Sequence, residues 1–129
     1  VSDVAARNKR NRRAGAKWQS DLREGFRGEG FDIERLVLTG REDEGDLVIR
    51  QPIAVGMPPE YVVIEAKAGA LHPAEFVREA QVERDHFAKH RGLDLALVTG
   101  IAVVKRVRAN WKDAYVLTTV RDYFRLGDS

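Results

Sequence analysis

The chain contains no cysteine. Disulfide frameworks, thiolate nucleophiles and cysteine-based zinc sites are therefore excluded. The same absence fits a reducing interior. Histidine is scarce: His72, His86 and His90 are the whole complement. His86 and His90 are four apart and share a helical face, but a zinc site needs more ligands than these, so surface or helix-end roles are expected. No apolar run approaches the ~20 residues of a membrane-spanning helix, and no membrane contact is expected. The first residues are charged and lack the apolar core of a signal peptide, so a cytoplasmic location is expected. A glycine-rich phosphate loop, a nucleophile elbow and a Ser-His-Asp arrangement are not evident. An ATPase or a serine hydrolase is thereby disfavoured.

What is present suits one domain. The 129 residues leave little room for a second, and 43% hydrophobic content is enough for a core. Charged residues make up 33%, above the usual quarter. The net charge is only +2, but it is unevenly placed. Arg7, Lys9, Arg10, Arg12, Arg13 and Lys17 follow one another with no acid between them. "REDEGD" over residues 41–46 is an acidic focus, and Lys105, Arg106, Arg108 and Lys112 form a second basic set. Basic segments beside a separate acidic focus point to a polyanion partner and a cation site. Residues 1–13 are polar and basic without apolar periodicity, and read as a flexible basic arm. Residues 14–129 read as the single domain.

Within that domain Trp18, Leu22 and Phe26, spaced by four, predict a helix over 14–29. Gly28 and Gly30 end it. Strands are expected over 33–40, 46–50 and 60–68, with a Pro-rich loop over 51–59 between the last two. Pro73 opens a second helix whose buried side carries Phe76, Ala80 and Phe87. A β-rich segment covers 93–107, with Gly100 as a bulge or break. A last strand over 114–120 and a short terminal helix over 120–126 complete the chain. Trp18 is assigned to the core; Trp111 is open between core and base stacking. The order implies an α/β fold with a mixed sheet flanked by helices.

The strand "EYVVIEAKAG" ends on charge, with Glu65 and Lys67 on one face and Ala66 on the other. If the second and third strands form a hairpin around the Pro-rich loop, Arg50 lies near Tyr61 and Asp46 arrives beside Glu65. Two adjacent carboxylates repel and are costly without a counter-charge. A hard divalent cation, Mg²⁺ or Mn²⁺, removes that cost, and the Ala66 carbonyl could add another oxygen. Such an ion polarises a phosphoryl group and acidifies water. Lys67 would orient or activate the water or stabilise charge at phosphorus. The chemistry indicated is phosphodiester hydrolysis, with Asp43 as a supporting acid. Glu79 and Gln81 lie on the second helix, where Gln81 could help position water.

"GD" at Gly45 and Asp46 followed by "IEAK" at residues 64–67 resembles the PD-(D/E)XK nuclease pattern. More narrowly, the chain is similar to Holliday junction resolvases of archaeal type and their bacteriophage relatives. The matching residues are Gly15, Trp18, Leu22, Gly40, Asp43, Gly45, Asp46, Glu65, Lys67, Lys105 and Arg106, spanning about residues 12–115. The resemblance implies a restriction-endonuclease-like αβββαβ core and a metal-dependent endonuclease acting on four-way DNA junctions. It also implies a role in recombination inside a bacterial, archaeal or phage-infected cell. Asp46, Glu65 and Ala66 would hold Mg²⁺ or Mn²⁺. Arg7, Lys9, Arg10, Arg12, Arg13, Lys17, Lys105, Arg106 and Arg108 would grip DNA. A two-fold homodimer would match the substrate. Val116, Tyr123 and Phe124 are candidates for its interface. One departure stands out: the family often carries a first-helix glutamate where this chain has Gln19. Either the site has one carboxylate fewer, with Gln19 holding a water, or the change is inactivating. Two alternatives therefore stay open: a nuclease of linear duplex, flap or single-stranded DNA, and a catalytically weakened DNA-binding module.

Overall fold

A computed structural model describes residues 2–38 and 40–127; within the first helix, the side chains of residues 2, 7, 8 and 10–12 lie outside the description. Helix α1 (Ser2–Gly28) is followed by strands β1 (Asp32–Arg35), β2 (Leu47–Gln51) and β3 (Glu60–Lys67). Then come α2 (Pro73–Arg91), β4 (Val98–Val104), β5 (Tyr115–Leu117) and α3 (Val120–Phe124). The expected αβββαβ order is present, with β5 and α3 appended. The sheet order is β1-β2-β3-β4-β5, antiparallel throughout except for the parallel pair β3 and β4. That pair needs a crossover, and α2 is its crossover helix.

The two faces of β3 explain the layers. Ile64 and Ala66 join Trp18, Leu22, Leu47, Ile49 and Val103 in one buried cluster under α1. Trp18 is core, as expected, and its indole Nε1 donates to the Val103 carbonyl at 3.1 Å. Trp111 lies in the seam of this layer, 5.0 Å from the Phe26 ring and against Gly25. The other face of β3 presents Val63, packed with Phe87, Ala88 and Val98 under α2. Glu65 and Lys67 follow Val63 on that same face.

Several boundaries differ from expectation. Helix α1 begins at Ser2, so the segment read as an arm is helical; its Ala, Arg and Lys residues are good helix formers, and no proline interrupts them. Strand β1 stops at Arg35, because β2 begins at its partner Leu47. Beyond it Val37 and Leu38 are exposed rather than paired. Gly100 neither bulges nor breaks β4. A side chain there would strike the Ala80 carbonyl, so the glycine lets α2 lie directly on the strand. Strand β5 is short because Thr119 caps α3, its hydroxyl accepting from Asp122 N at 3.1 Å. No described helix is long and apolar enough to cross a membrane.

Candidate metal centre

The hairpin of β2 and β3 pairs Arg50 with Tyr61 and Leu47 with Ile64. Extending that register by one residue sets Asp46 beside Glu65. The backbone seals the placement, with Asp46 N donating to the Ile64 carbonyl at 3.0 Å. Ala66 N in turn donates to Asp46 Oδ2 at 2.8 Å. The Ala66 N–H thus orients the acid, while its side chain lies in the core under α1. Gly45 makes the approach feasible. Its φ is +106°, and a Cβ there would come within 2.8 Å of Val63 Cγ1 and 3.3 Å of Glu83 Oε2.

Lys67 shares the face with Glu65, and its Nζ lies 3.5 Å from Glu65 Oε1 and 2.6 Å from Glu79 Oε2. The ammonium also stands 5.0 Å over the Phe76 ring. Burial alone would lower the Lys67 pKa, but the Glu79 contact and the Glu65 charge outweigh it and hold it raised. Asp46 moves in the unfavourable direction for an acid. Burial first, and then the charge of Glu65, push its carboxyl up to about 7 against the Ala66 hydrogen bond.

Helix α2 adds two acids to this face. Oxygens of Glu65, Glu79 and Glu83 lie within 4.8 Å of one another. Glu83 sits on the buried side of α2 with Phe76, Ala80 and Phe87. Burial and then the neighbouring Glu65 push its carboxyl up to about 10. Asp43 raises both Asp46 and Glu83 further through its charge. Its own carboxylate is engaged locally, accepting from Gly45 N at 2.9 Å. Every side-chain donor in the cluster is a carboxylate oxygen, a set that suits a hard divalent cation such as Mg²⁺ or Mn²⁺.

The loop carrying Asp43 and Asp46 is fastened to the far end of α2. His90 meets Glu44 at 2.7 Å and Glu42 at 2.8 Å, and Arg91 donates to Glu44 at 2.6 Å. Lys89 reaches Glu42 at 3.1 Å, and His86 Nδ1 lies 2.7 Å from the Asp43 carbonyl. The contact with His90, then that with Lys89, brings Glu42 down to about 2. The same ion pairs raise His90, Glu42 contributing most. The two histidines thus serve an ion-pair clamp at a helix end.

The structure therefore brings together Asp46, Glu65 and Lys67, with Asp43 close by. It does not bring in Gln81, which lines a groove on the other side of α2 with Arg84, Asp85, Leu95 and Thr99. This corrects the expectation that Gln81 attends the site: Glu79 and Glu83 face it instead. Gln19 is half-buried on α1, and among the described residues it makes no hydrogen bond to these acids. Glu83 was missed in the sequence, although it interrupts an otherwise apolar stripe on α2.

Of the basic residues, Lys105 N donates to the Lys67 carbonyl at 2.9 Å, so the second basic set begins at the same sheet edge as the acids. Arg106 is exposed and lies 5.0 Å over the Tyr115 ring, and Arg108 is exposed. Lys9, Arg13 and Lys17 are exposed on α1, with Lys17 bonded to Asp21 at 2.8 Å. The side chains of Arg7, Arg10 and Arg12 lie outside the described residues. Val116, Tyr123 and Phe124 are 59%, 72% and 65% exposed, leaving apolar surface on β5 and α3.

No family model and no curated relative matches the chain. Among solved structures it is similar to Hjc of Archaeoglobus fulgidus, described as a Holliday junction resolvase from an archaeal hyperthermophile. The two share 20% identity at a TM-score of 0.46, over 80% of this chain and 70% of that one.

Proposed function

We propose that the protein is a metal-dependent, structure-selective DNA endonuclease that hydrolyses phosphodiester bonds at four-way junctions. One observation carries the nuclease reading: Asp46 and Glu65 stand side by side across a hairpin, with Lys67 on the same face; the four-way junction as substrate follows from the resemblance of the chain's motifs to Holliday junction resolvases. Asp46 and Glu65 would hold Mg²⁺ or Mn²⁺, with the Ala66 carbonyl as a further oxygen. When bound, the ion supplies Lewis acidity to the phosphoryl group and lowers the pKa of water. Lys67, kept in its ammonium form by Glu79 and Glu65, donates to the attacking water or to a phosphoryl oxygen. Lys105, Arg106 and Arg108, with the basic residues of α1, hold the flanking phosphates and make binding salt-sensitive. Cutting a junction symmetrically needs two sites, so the active form is a homodimer, with Val116, Tyr123 and Phe124 as interface candidates.

The test is to incubate the protein with labelled four-way junction, linear duplex and single strand, with and without Mg²⁺. Paired symmetric nicks on the junction alone are expected. Asp46→Asn and Lys67→Ala are each expected to cut about a hundredfold more slowly or worse. Cutting that persists in both variants would refute the site. Cutting confined to linear or single-stranded DNA would replace the substrate. Tight binding without cutting by the unmutated chain would make it a binding module.

A further inference from the structure

Glu83 occupies a position on α2 that packing alone would give to a leucine. Its neighbours on the buried side of the helix are Phe76, Ala80 and Phe87, and it is itself 7% exposed. A carboxyl placed there should be fully hydrogen-bonded, because a buried acceptor without a donor keeps its whole desolvation penalty. Glu83 Oε2 is nevertheless buried with no partner. So is Glu65 Oε2, on the strand facing it. Among the described residues no basic side chain forms an ion pair with Glu83. Lys67 is engaged by Glu79 and Glu65, and Lys89 and Arg91 by Glu42 and Glu44. Gly45 leaves room for the orphaned oxygen, since a Cβ there would lie 3.3 Å from it.

Glu65 and Glu83, on opposed elements, thus each keep one buried unsatisfied oxygen, and one oxygen of each gathers with one of Glu79 within 4.8 Å; Lys67 is paired with Glu65 Oε1 and Glu79 Oε2 and satisfies neither orphan. We propose that Glu83 is a direct ligand of the divalent cation, so that the metal seat lies between β3 and α2. The inference rests on the metal-dependent reading above and adds a ligand to it. A hard ion fits because every donor is a carboxylate oxygen. Gly45 and Val63 lie beside the Glu83 oxygen, and Asp46, held by the Ala66 N–H, adds its charge to Glu65 and Glu83 from the start of β2.

Metal binding can be read without DNA and without turnover. Mn²⁺ is titrated into metal-free protein while the electron paramagnetic resonance signal of free Mn²⁺ is followed, for the unmutated chain and for Glu83→Gln, Asp46→Asn and Glu75→Gln. Glu75 is an exposed acid at the start of the same helix. Glu83→Gln is expected to weaken Mn²⁺ by at least about tenfold, as loss of even an outer contact does, and Glu75→Gln to leave it unchanged. If Glu83→Gln binds like the unmutated chain while Asp46→Asn does not, the inference falls and the Asp46–Glu65 site survives. If the unmutated chain binds no Mn²⁺, both fall. A second readout needs no variant: the ¹³C resonance of the Glu83 carboxyl should shift with Mg²⁺ at the same concentration as that of Asp46. A Glu83 carboxyl that stays still while Asp46 moves would overturn the proposal.

Discussion

Replacing Glu83 with glutamine should make the metal-free protein more stable at neutral pH, not less. The ordinary pKa of the group is 4.5, and the fold raises it to about 10. At pH 7 the unfolded chain therefore carries Glu83 ionised while the native state keeps it protonated. Folding must take up a proton. At about 1.4 kcal/mol per pH unit between 4.5 and 7, that costs about 3 kcal/mol. The size hardly depends on the native value, provided it lies well above neutrality. The sign follows from proton counting. Below pH 4.5 both states hold the proton and the group costs nothing; above it the penalty grows until the native carboxyl ionises. Glutamine has nearly the same shape, needs no proton and can donate an N–H towards Glu65. Its misfit should cost under about 1.5 kcal/mol, so removing the proton uptake wins. A net gain of about 1.5–3 kcal/mol corresponds to roughly 5–12 °C in Tm for a chain of this size. The assay is thermal or urea unfolding in chelator at several pH values, comparing the two proteins. Near pH 4.5 the variant should be no more stable than the parent, trailing by its misfit, and its advantage should open above that and widen towards pH 8. A variant that is less stable than the parent at pH 8, or a gap that does not change with pH, would refute the reasoning.

Two further outcomes are expected. Gly100→Ala should lose about 2–3 kcal/mol in thermal unfolding, because the new Cβ meets the backbone carbonyl of Ala80 rather than a movable side chain; an unchanged midpoint would contradict that contact. His90 is raised by Glu42 first and then Glu44, with His86, Lys89 and Arg91 also packed at this end of the helix, so its contribution is fully present below pH 6.5 and fades as pH rises through the higher native value. The protection factors of the amides over residues 42–46, with the intrinsic pH dependence of exchange divided out, should fall across that range in the parent and show no such step in His90→Ala; the same step in both proteins would exclude His90 as its source.

The hairpin was legible because a strand has period two. Once Arg50 is set against Tyr61, counting alone brings Asp46 to Glu65, and the observed register agrees. Face assignment along β3 followed from the same alternation. Glu83 was not legible, because a helix stripe tells which residues are buried but not which strand they meet. Only the packing of α2 against Val63 and Glu65 shows that the acid faces other acids. Gln81, two residues away, is rotated about 200° around the helix and lands in another groove. Gly100 misled for a related reason: strand glycines mark bulges or close approaches, and only the neighbouring helix decides between them. The extent of α1 was missed because its first turns lack the apolar period used to find helices.

Gly100 has a bearing on the acids as well as on the core. At that point α2 and β4 touch through main chain, Ala80 against the strand. Backbone of paired strands yields far less than interleaved side chains, so this contact acts as a hard stop for the helix. Glu83 lies one turn beyond Ala80 on the same side. The height at which its carboxyl hangs above β3 is thus set by an absent side chain on the neighbouring strand. The spacing of the acids inherits the stiffness of the sheet, and a residue that carries no charge becomes the gauge of the charged site.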